Sequence, residues 1–384
     1  MANKFMIPWK SFIGDGALEE AEESIIKLGT KALIVCGNSM ISQGHVDRVQ
    51  RLLEKNGVGS AVFSGIPAEP TDKMIDEGLD VYKKEGCDFI IGLGGGSPLD
   101  SAKAIGILAS LGGKISDYNG KIITEEIPPL VAIPSTAGTG SEATPFTIVT
   151  DTEKDIKMLL KGEALMPKIA VVDPMFSMKT PRNVTVATGL DALTHAVESF
   201  TSKKAFPESD IFAVSAIKRI FEYLPIAVEN GDDVNARREM ALAAYEAGIS
   251  FGNSSVTLVH GMSRPIGALF HVPHGISNAM ILKGCLSYVA DGCYDRLAYL
   301  ADAIGVSFGV NEENKAMEFI DAVGSLLEVC QVPTLTKYGI DVYEFSANIE
   351  KMAQDAMDSG SPGNTRKNLT KEDLVKLYSN LILT

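Results

Sequence analysis

Four of the five histidines lie between positions 195 and 274, and three of them can join one aspartate around a single metal ion. Asp191 and His195 stand four residues apart in GLDALTHAVESF, a stretch whose Ala, Leu and Val suit a helix. An i,i+4 pair on a helix points two side chains at the same spot. His260 in TLVHGMSRP and His274 in HVPHGISNAM add two further candidate nitrogen ligands. One carboxylate oxygen with three imidazoles suits a borderline divalent ion: iron(II), zinc or manganese. Calcium and magnesium want more oxygen, and copper-type thiolate chemistry has no support. A lone histidine is more often a packed, hydrogen-bonded side chain than a ligand. The clustering argues for ligands here, because only His45 lies elsewhere in the chain.

A second chemical signal is the glycine run in GLGGGSPLDSAKA (92–104). It follows a strong strand pattern and opens a helix, with Ser97 expected at the N-cap and Pro98 in the first turn. Consecutive glycines remove side chains that would block a phosphate, and the helix N-terminus offers it free N–H groups. The run is not a P-loop, since no GK[ST] follows. A tight strand-to-helix turn without a ligand is the alternative. PSTAGTGSEAT (134–144), small and hydroxyl-rich after another strand, can line a polar crevice.

The elements that must carry these groups fall into two halves. KALIVCG (31–37), SAVFSG (60–65), DFIIGLGGG (88–96), PLVAIPS (129–135) and KIAVVDP (168–174) read as buried strands, separated by amphipathic helical stretches. Such alternation implies a mostly parallel sheet covered by helices on both faces. Beyond about position 184 the strand runs stop and Ala/Leu/Met-rich helical patterns take over. The expected domains are an α/β domain over 1–184 and an all-α domain over 185–384, two being natural for 384 residues.

The formal net charge of −14 argues against nucleic acid or an acidic membrane as partner. Cys36, Cys87, Cys285, Cys293 and Cys330 form no CxxC pair and are odd in number, which fits reduced, buried thiols. MANKFMIPWKSF has no sustained apolar region, and no apolar stretch approaches the ~20 residues that span a bilayer. A soluble cytoplasmic protein, acting on a small molecule as a homodimer or higher homo-oligomer, is expected.

In the order GGGSPLDSAK, STAGTGSE, GLDALTHAVE, HGMSRPIGALFHVPHGISNA and NTR, the chain resembles the iron-containing (group III) metal-dependent alcohol dehydrogenases over essentially its whole length. The resemblance implies a dinucleotide-binding α/β domain followed by a helical domain, an architecture shared with dehydroquinate synthase. It implies that Asp191, His195, His260 and His274 hold the metal, iron(II) or alternatively zinc or manganese. It also implies that Gly94, Gly95, Gly96 and Ser97 hold the pyrophosphate of NAD(P), with Asp100 in the same motif. Thr136, Thr139 and Ser141 match the stretch along the pyrophosphate and nicotinamide, and Lys157 a lysine near the nicotinamide ribose. The implied reaction interconverts a short primary alcohol and its aldehyde by hydride transfer. A metal that polarises an alcohol or carbonyl oxygen suits that reaction.

Two departures from the family pattern stand out. Many members carry another histidine four residues after His260; here that position is Arg264. Arginine is no proton shuttle at neutral pH, but it grips carboxylates, sulfonates and phosphates through paired hydrogen bonds. His271 could add a donor, so both are candidates for binding an anionic substrate tail. The alternative is that Arg264 pairs with an acid such as Glu198 or touches the cofactor. The second departure lies at the end of the first strand, where NAD-preferring members often place an aspartate on the adenosine ribose. Gly37 stands there, followed by Asn38 and Ser39, so a 2′-phosphate is not repelled and NADP(H) or dual use is expected. Competing readings are a glycerol dehydrogenase-like polyol oxidation, a dehydroquinate synthase-like metal- and NAD-using lyase, and a silent metal- or nucleotide-binding protein.

Overall fold

The structure, a computed structural model, describes residues 2–382. The chain divides into two compact units, one over Met6–Thr180 and one built from Pro181 onward together with the segment up to Phe5. The division falls just ahead of the boundary expected near 184. Pro181 is the extended N-cap of a helix starting at Arg182, so Asn183 and Val184 already belong to its first turn.

The α/β unit runs β1 (Lys10–Ile13), α1 (Ala17–Ile25), β2 (Lys31–Cys36), α2 (Asn38–Ser42), α3 (His45–Glu54), β3 (Gly59–Phe63), α4 (Asp72–Glu85), β4 (Phe89–Gly94), α5 (Gly96–Leu111), β5 (Leu130–Pro134), β6 (Phe146–Asp151), β7 (Ile156–Lys161) and β8 (Ile169–Val172). Six strands form one parallel sheet in the order β1-β8-β5-β4-β2-β3. Alternate residues of β2 feed opposite cores. Ala32, Ile34 and Cys36 pack with α1 and α3, whereas Leu33 and Val35 pack with α4 and α5. Both faces are therefore dry, and the inner strands are continuously apolar as in other parallel sheets. Strand order reverses between β2 and β4, and Cys36 pairs with Leu93 there, so their carboxyl ends are neighbours. Open α/β sheets bind ligands at this kind of switch point. Three strands were not read from the sequence: the edge strand β1 and the antiparallel hairpin β6–β7.

The helical unit runs α6 (Arg182–Thr201), α7 (Pro207–Glu229), α8 (Val234–Ser254), α9 (Leu258–Phe270), α10 (His274–Val289), α11 (Tyr294–Ile304), α12 (Glu312–Val329), α13 (Leu335–Tyr338), α14 (Val342–Asp358) and α15 (Lys371–Leu381). α6 is buried on nearly every side, which its low charge and many small residues permit. Among the described residues no helix is long and apolar enough to cross a membrane, and all five cysteines are free and buried.

Candidate functional site

In the helical unit, α6 presents Asp191, His195 and Glu198 along one face, at i, i+4 and i+7. α9 contributes His260, and α10 opens with His274 directly after its N-cap, Pro273. One ligand atom from each of Asp191, His195 and His260 can be chosen so that all lie within 4.8 Å of one another. His274 joins them, with Nε2 3.6 Å from Asp191 Oδ1, while His260 Nε2 is 3.7 Å from the same oxygen. The imidazoles lie in series, His195 stacked on His260 and His274 tilted against it. His195 lies between Phe251 of α8 and His260, at centroid distances of 4.1 and 4.5 Å, and His260 is 5.2 Å from His274.

Glu198 pairs with the start of α9 and with His260, not with Arg264. Its carboxylate accepts from Thr257 Oγ1 (2.7 Å) and the N–H groups of Val259 (2.5 Å) and His260 (3.4 Å), which caps the start of α9. It also lies 2.6 Å from His260 Nδ1. A carboxylate only accepts, so the shared proton sits on that side of the ring and the Nε2 lone pair faces Asp191 and His274. Metal-ligating histidines are oriented by carboxylates in this way. Burial raises the Glu198 and Asp191 carboxyls, against the hydrogen bonds each accepts. Burial likewise drives His260 well below the usual imidazole range, reinforced by His195 and Arg264. His274 keeps 41% of its side chain exposed, yet enclosure of the ring by protein atoms lowers it as well, against the pull of Asp191. With the His260 and His274 imidazoles held in their neutral form beside a buried carboxylate, the set fits a divalent ion.

Arg264, one turn beyond His260 on α9, donates from Nη1 to Ser361 Oγ at 3.1 Å. It makes no ion pair with Glu198 or any other acid among the described residues, although the Glu198 charge raises its pKa against the lowering effect of burial. A contact across ninety-seven positions leaves no local signal in the sequence. His271 is the C-cap of α9, with φ +54°, and its side chain is exposed. It makes no hydrogen bond with Arg264 or the cluster among the described residues.

In the α/β unit, Gly94 pairs with Pro134 and Ser135 N–H donates to the Gly94 carbonyl (2.8 Å), so the two glycine- and hydroxyl-rich segments lie side by side. Gly94 has φ +148°, and a Cβ on Gly96 would come within 2.8 Å of Thr139. Only glycine accommodates both the turn and that approach. Ser97 is not the N-cap. The cap is Gly95, extended and without a side-chain bond, so α5 begins at Gly96 with no side chain capping its first N–H groups. Gly95, Gly96, Ser97, Thr136 and Thr139 remain partly accessible. At the neighbouring end of β2, a Cβ at Gly37 would be 3.0 Å from the Ile66 carbonyl, so this glycine has a packing reason independent of any nucleotide. Asn38 and Ser39 are exposed.

Asp100 and Ser141 face inward. Ser141 Oγ donates to Asp100 Oδ1 (2.6 Å), and Ile148 N–H donates to Oδ2 (3.0 Å). Lys103, unnoticed in the sequence, is fully buried and donates to the carbonyls of Ser141 (2.7 Å), Thr144 (2.8 Å) and Phe146 (2.7 Å). This clasp fastens the STAGTGSE segment and the β6 hairpin to α5. Lys157 stands on β7 in an exposed ion pair with Glu69 (2.6 Å), and no contact with the Gly94–Ser97 turn occurs among the described residues.

Burial pushes the Glu142 carboxyl beside this clasp up to about 7, opposed by its own backbone N–H and by Lys103. Its folded pKa lies above the unfolded value of 4.5, so the folded state holds the extra proton between those pH values. Stability from this group is complete below pH 4.5 and is lost as pH rises toward 7. Relative to wild type, Glu142→Gln should gain roughly 2–3 kcal/mol between pH 4.5 and 7.5 in urea unfolding. Parallel stability curves for the two proteins would remove Glu142 from this account.

The family model for iron-containing alcohol dehydrogenase matches residues 8–174, and that for the C-terminal part of the Fe-containing alcohol dehydrogenase family matches 185–382. The NAD-dependent methanol dehydrogenase of Bacillus methanolicus is 36% identical over 382 residues, covering 98% of this chain and 99% of that protein. A crystal structure of 1,3-propanediol oxidoreductase superposes with a TM-score of 0.95 at 32% identity, covering 99% of this chain and 100% of the other. Sulfoacetaldehyde reductase from Bifidobacterium kashiwanohense, solved with NAD+, superposes with a TM-score of 0.90 at 26% identity over 100% of both chains.

Proposed function

The chain belongs to the iron-containing alcohol dehydrogenase family, and on that premise we propose that it interconverts a short primary alcohol and its aldehyde by hydride transfer with NAD(P)(H). Asp191, His195, His260 and His274 are the proposed ligands of one divalent ion, iron(II) or else zinc or manganese. The observation that carries the reading is the cluster itself, with Asp191, His195 and His260 buried and Glu198 fixing His260 so that its Nε2 faces Asp191 and His274.

When bound, such an ion supplies Lewis-acid polarisation of the alcohol or carbonyl oxygen, and the nicotinamide gives or takes the hydride. The protein's part is placement. Glu198 keeps the proton at His260 Nδ1, and Asp191 brings the negative charge that balances a cation. The open N-terminus of α5, with Gly94, Gly95, Gly96 and Ser97, receives the pyrophosphate, bordered by Thr136 and Thr139. Asp100 and Ser141 act through the Lys103 clasp that holds this border in place. Lys157, with Gly37, Asn38 and Ser39, completes the proposed cofactor contacts. The lack of a carboxylate at 37–39 supports NADP(H) or dual use.

Arg264, with one hydroxyl as its polar partner and its charge felt at His260 and His274, suits an aldehyde with a carboxylate or sulfonate tail. Sulfoacetaldehyde reductase among the similar structures supports that class. His271 remains a proposed second donor. The lyase reading loses ground because Lys157 is already paired with Glu69, leaving Arg264 as the main cation for an acidic substrate. A homo-oligomer is also proposed, supported by the open edge of β1, where Trp9 is 78% and Ile13 46% exposed. Five free cysteines suit a cytoplasmic setting.

The deciding assay offers short aldehydes with NADH or NADPH. One cofactor should be oxidised for each alcohol formed, with either nucleotide. Product formed while the cofactor returns unchanged would favour the lyase, and exclusive use of NADH would remove the dual-cofactor part.

A further inference from the structure

Asn278 is fully buried on α10, one turn beyond His274. Its Nδ2 stands 2.8 Å from Asp191 Oδ1 and 3.3 Å from both His260 Nε2 and His274 Nε2. Those three acceptors come from α6, α9 and α10, and each is an electron-pair donor of the kind a cation takes up. One amide nitrogen, carrying two hydrogens, reaches all of them.

The other end of the same amide is left without a partner. Asn278 Oδ1 is buried and accepts no hydrogen bond among the described residues. A buried oxygen in that condition is destabilising. Turning the amide over would place this oxygen 2.8 Å from the Asp191 carboxylate, acceptor against acceptor in a dry site. The pull of the ligand atoms on the N–H groups therefore decides the orientation.

We propose that Asn278 is a positioning residue of the metal-free protein: its amide supplies positive partial charge where the ion's charge is needed, holds the ligand atoms together, and gives them up when the ion is taken. The proposal rests on the reading of Asp191, His195, His260 and His274 as metal ligands. It differs from a simple supporting role in the sign of one effect. A residue that orients Asp191 for the bound ion should weaken metal binding when removed. A placeholder raises the free energy of the metal-free form when removed, and the affinity for metal must rise by the same amount.

The test compares wild type with Asn278→Ala and with Asn278→Leu, which keeps the volume filled should the smaller side chain fail to fold. Two quantities are read: the urea midpoint of the chelator-stripped protein, and zinc affinity by competition with a chromophoric chelator. The expected result is a lower midpoint for the stripped variants, an unchanged midpoint for the zinc-loaded ones, and zinc bound about 10-fold more tightly. Equal or weaker zinc binding by both variants would overturn the placeholder while leaving the ligand set intact. Failure of wild type itself to bind one zinc per chain would instead sink the ligand assignment on which the proposal rests.

Discussion

His260→Ala should leave a folded protein that has lost its metal and, with it, its alcohol dehydrogenase activity. His260 stands at the centre of the cluster, flanked by His195 at 4.5 Å and His274 at 5.2 Å, with Glu198 on its far nitrogen. Replacing a group that merely orients a metal ligand costs ~10- to 100-fold in affinity, so loss of the ligand itself should cost ~100-fold or more. Glu198→Gln tests the orienting contact separately, because an amide cannot draw the Nδ1 proton as a carboxylate does, and should show the smaller loss. His45→Ala is the control, since His45 packs on Phe176 within the α/β unit, whereas the cluster belongs to the helical unit. Metal content by elemental analysis and kcat/KM are measured on the same preparations. Full occupancy and full rate in His260→Ala would show that the ligands are misassigned.

Arg264→Ala should discriminate between substrates rather than abolish turnover. A guanidinium and an anionic tail would form charge-assisted hydrogen bonds worth roughly 1.5–3 kcal/mol, which is on the order of 10- to 100-fold in kcat/KM. That factor should vanish for succinic semialdehyde and sulfoacetaldehyde, while propanal and butanal change little. Arg264 has Ser361 as its hydrogen-bond partner and pairs with no carboxylate among the described residues. Enclosed charges need a counter-charge, and a substrate anion can supply it. Equal losses for charged and neutral aldehydes would assign Arg264 to structure or cofactor binding and return the enzyme to neutral short-chain alcohols. Arg264→Lys is informative too, because a point charge cannot reproduce two parallel bonds.

What could be read from the chain, and what could not, follows the range of the interactions. β2, β4 and β5 are runs of Ile, Leu and Val buried on both faces, and such runs announce themselves. β1 has mostly exposed side chains, and the β6–β7 hairpin alternates around a charged turn, so neither shows the same continuous signal. Asp191 and His195 were legible through helical spacing, and by the same spacing Glu198 is a recognisable third member of that face. Lys103 also carried a local sign: a lysine within an apolar helix requires oxygens around it, and it has them. Ser97 was misplaced as an N-cap because glycine can itself take the extended cap conformation, which moves the helix start forward. The Arg264–Ser361 contact and the reach of Asn278 across three helices depend on tertiary packing, and no local pattern encodes them.

On the proposed reading, hydride transfer depends on one ion held by Asp191, His195, His260 and His274. The most direct measurement strips the protein with a chelator and titrates iron(II), zinc or manganese back while nicotinamide absorbance is followed with a short aldehyde. Activity should be absent at the start, rise in proportion to metal bound and saturate at one ion per chain. Full turnover by the stripped protein, before any metal is returned, would contradict the account.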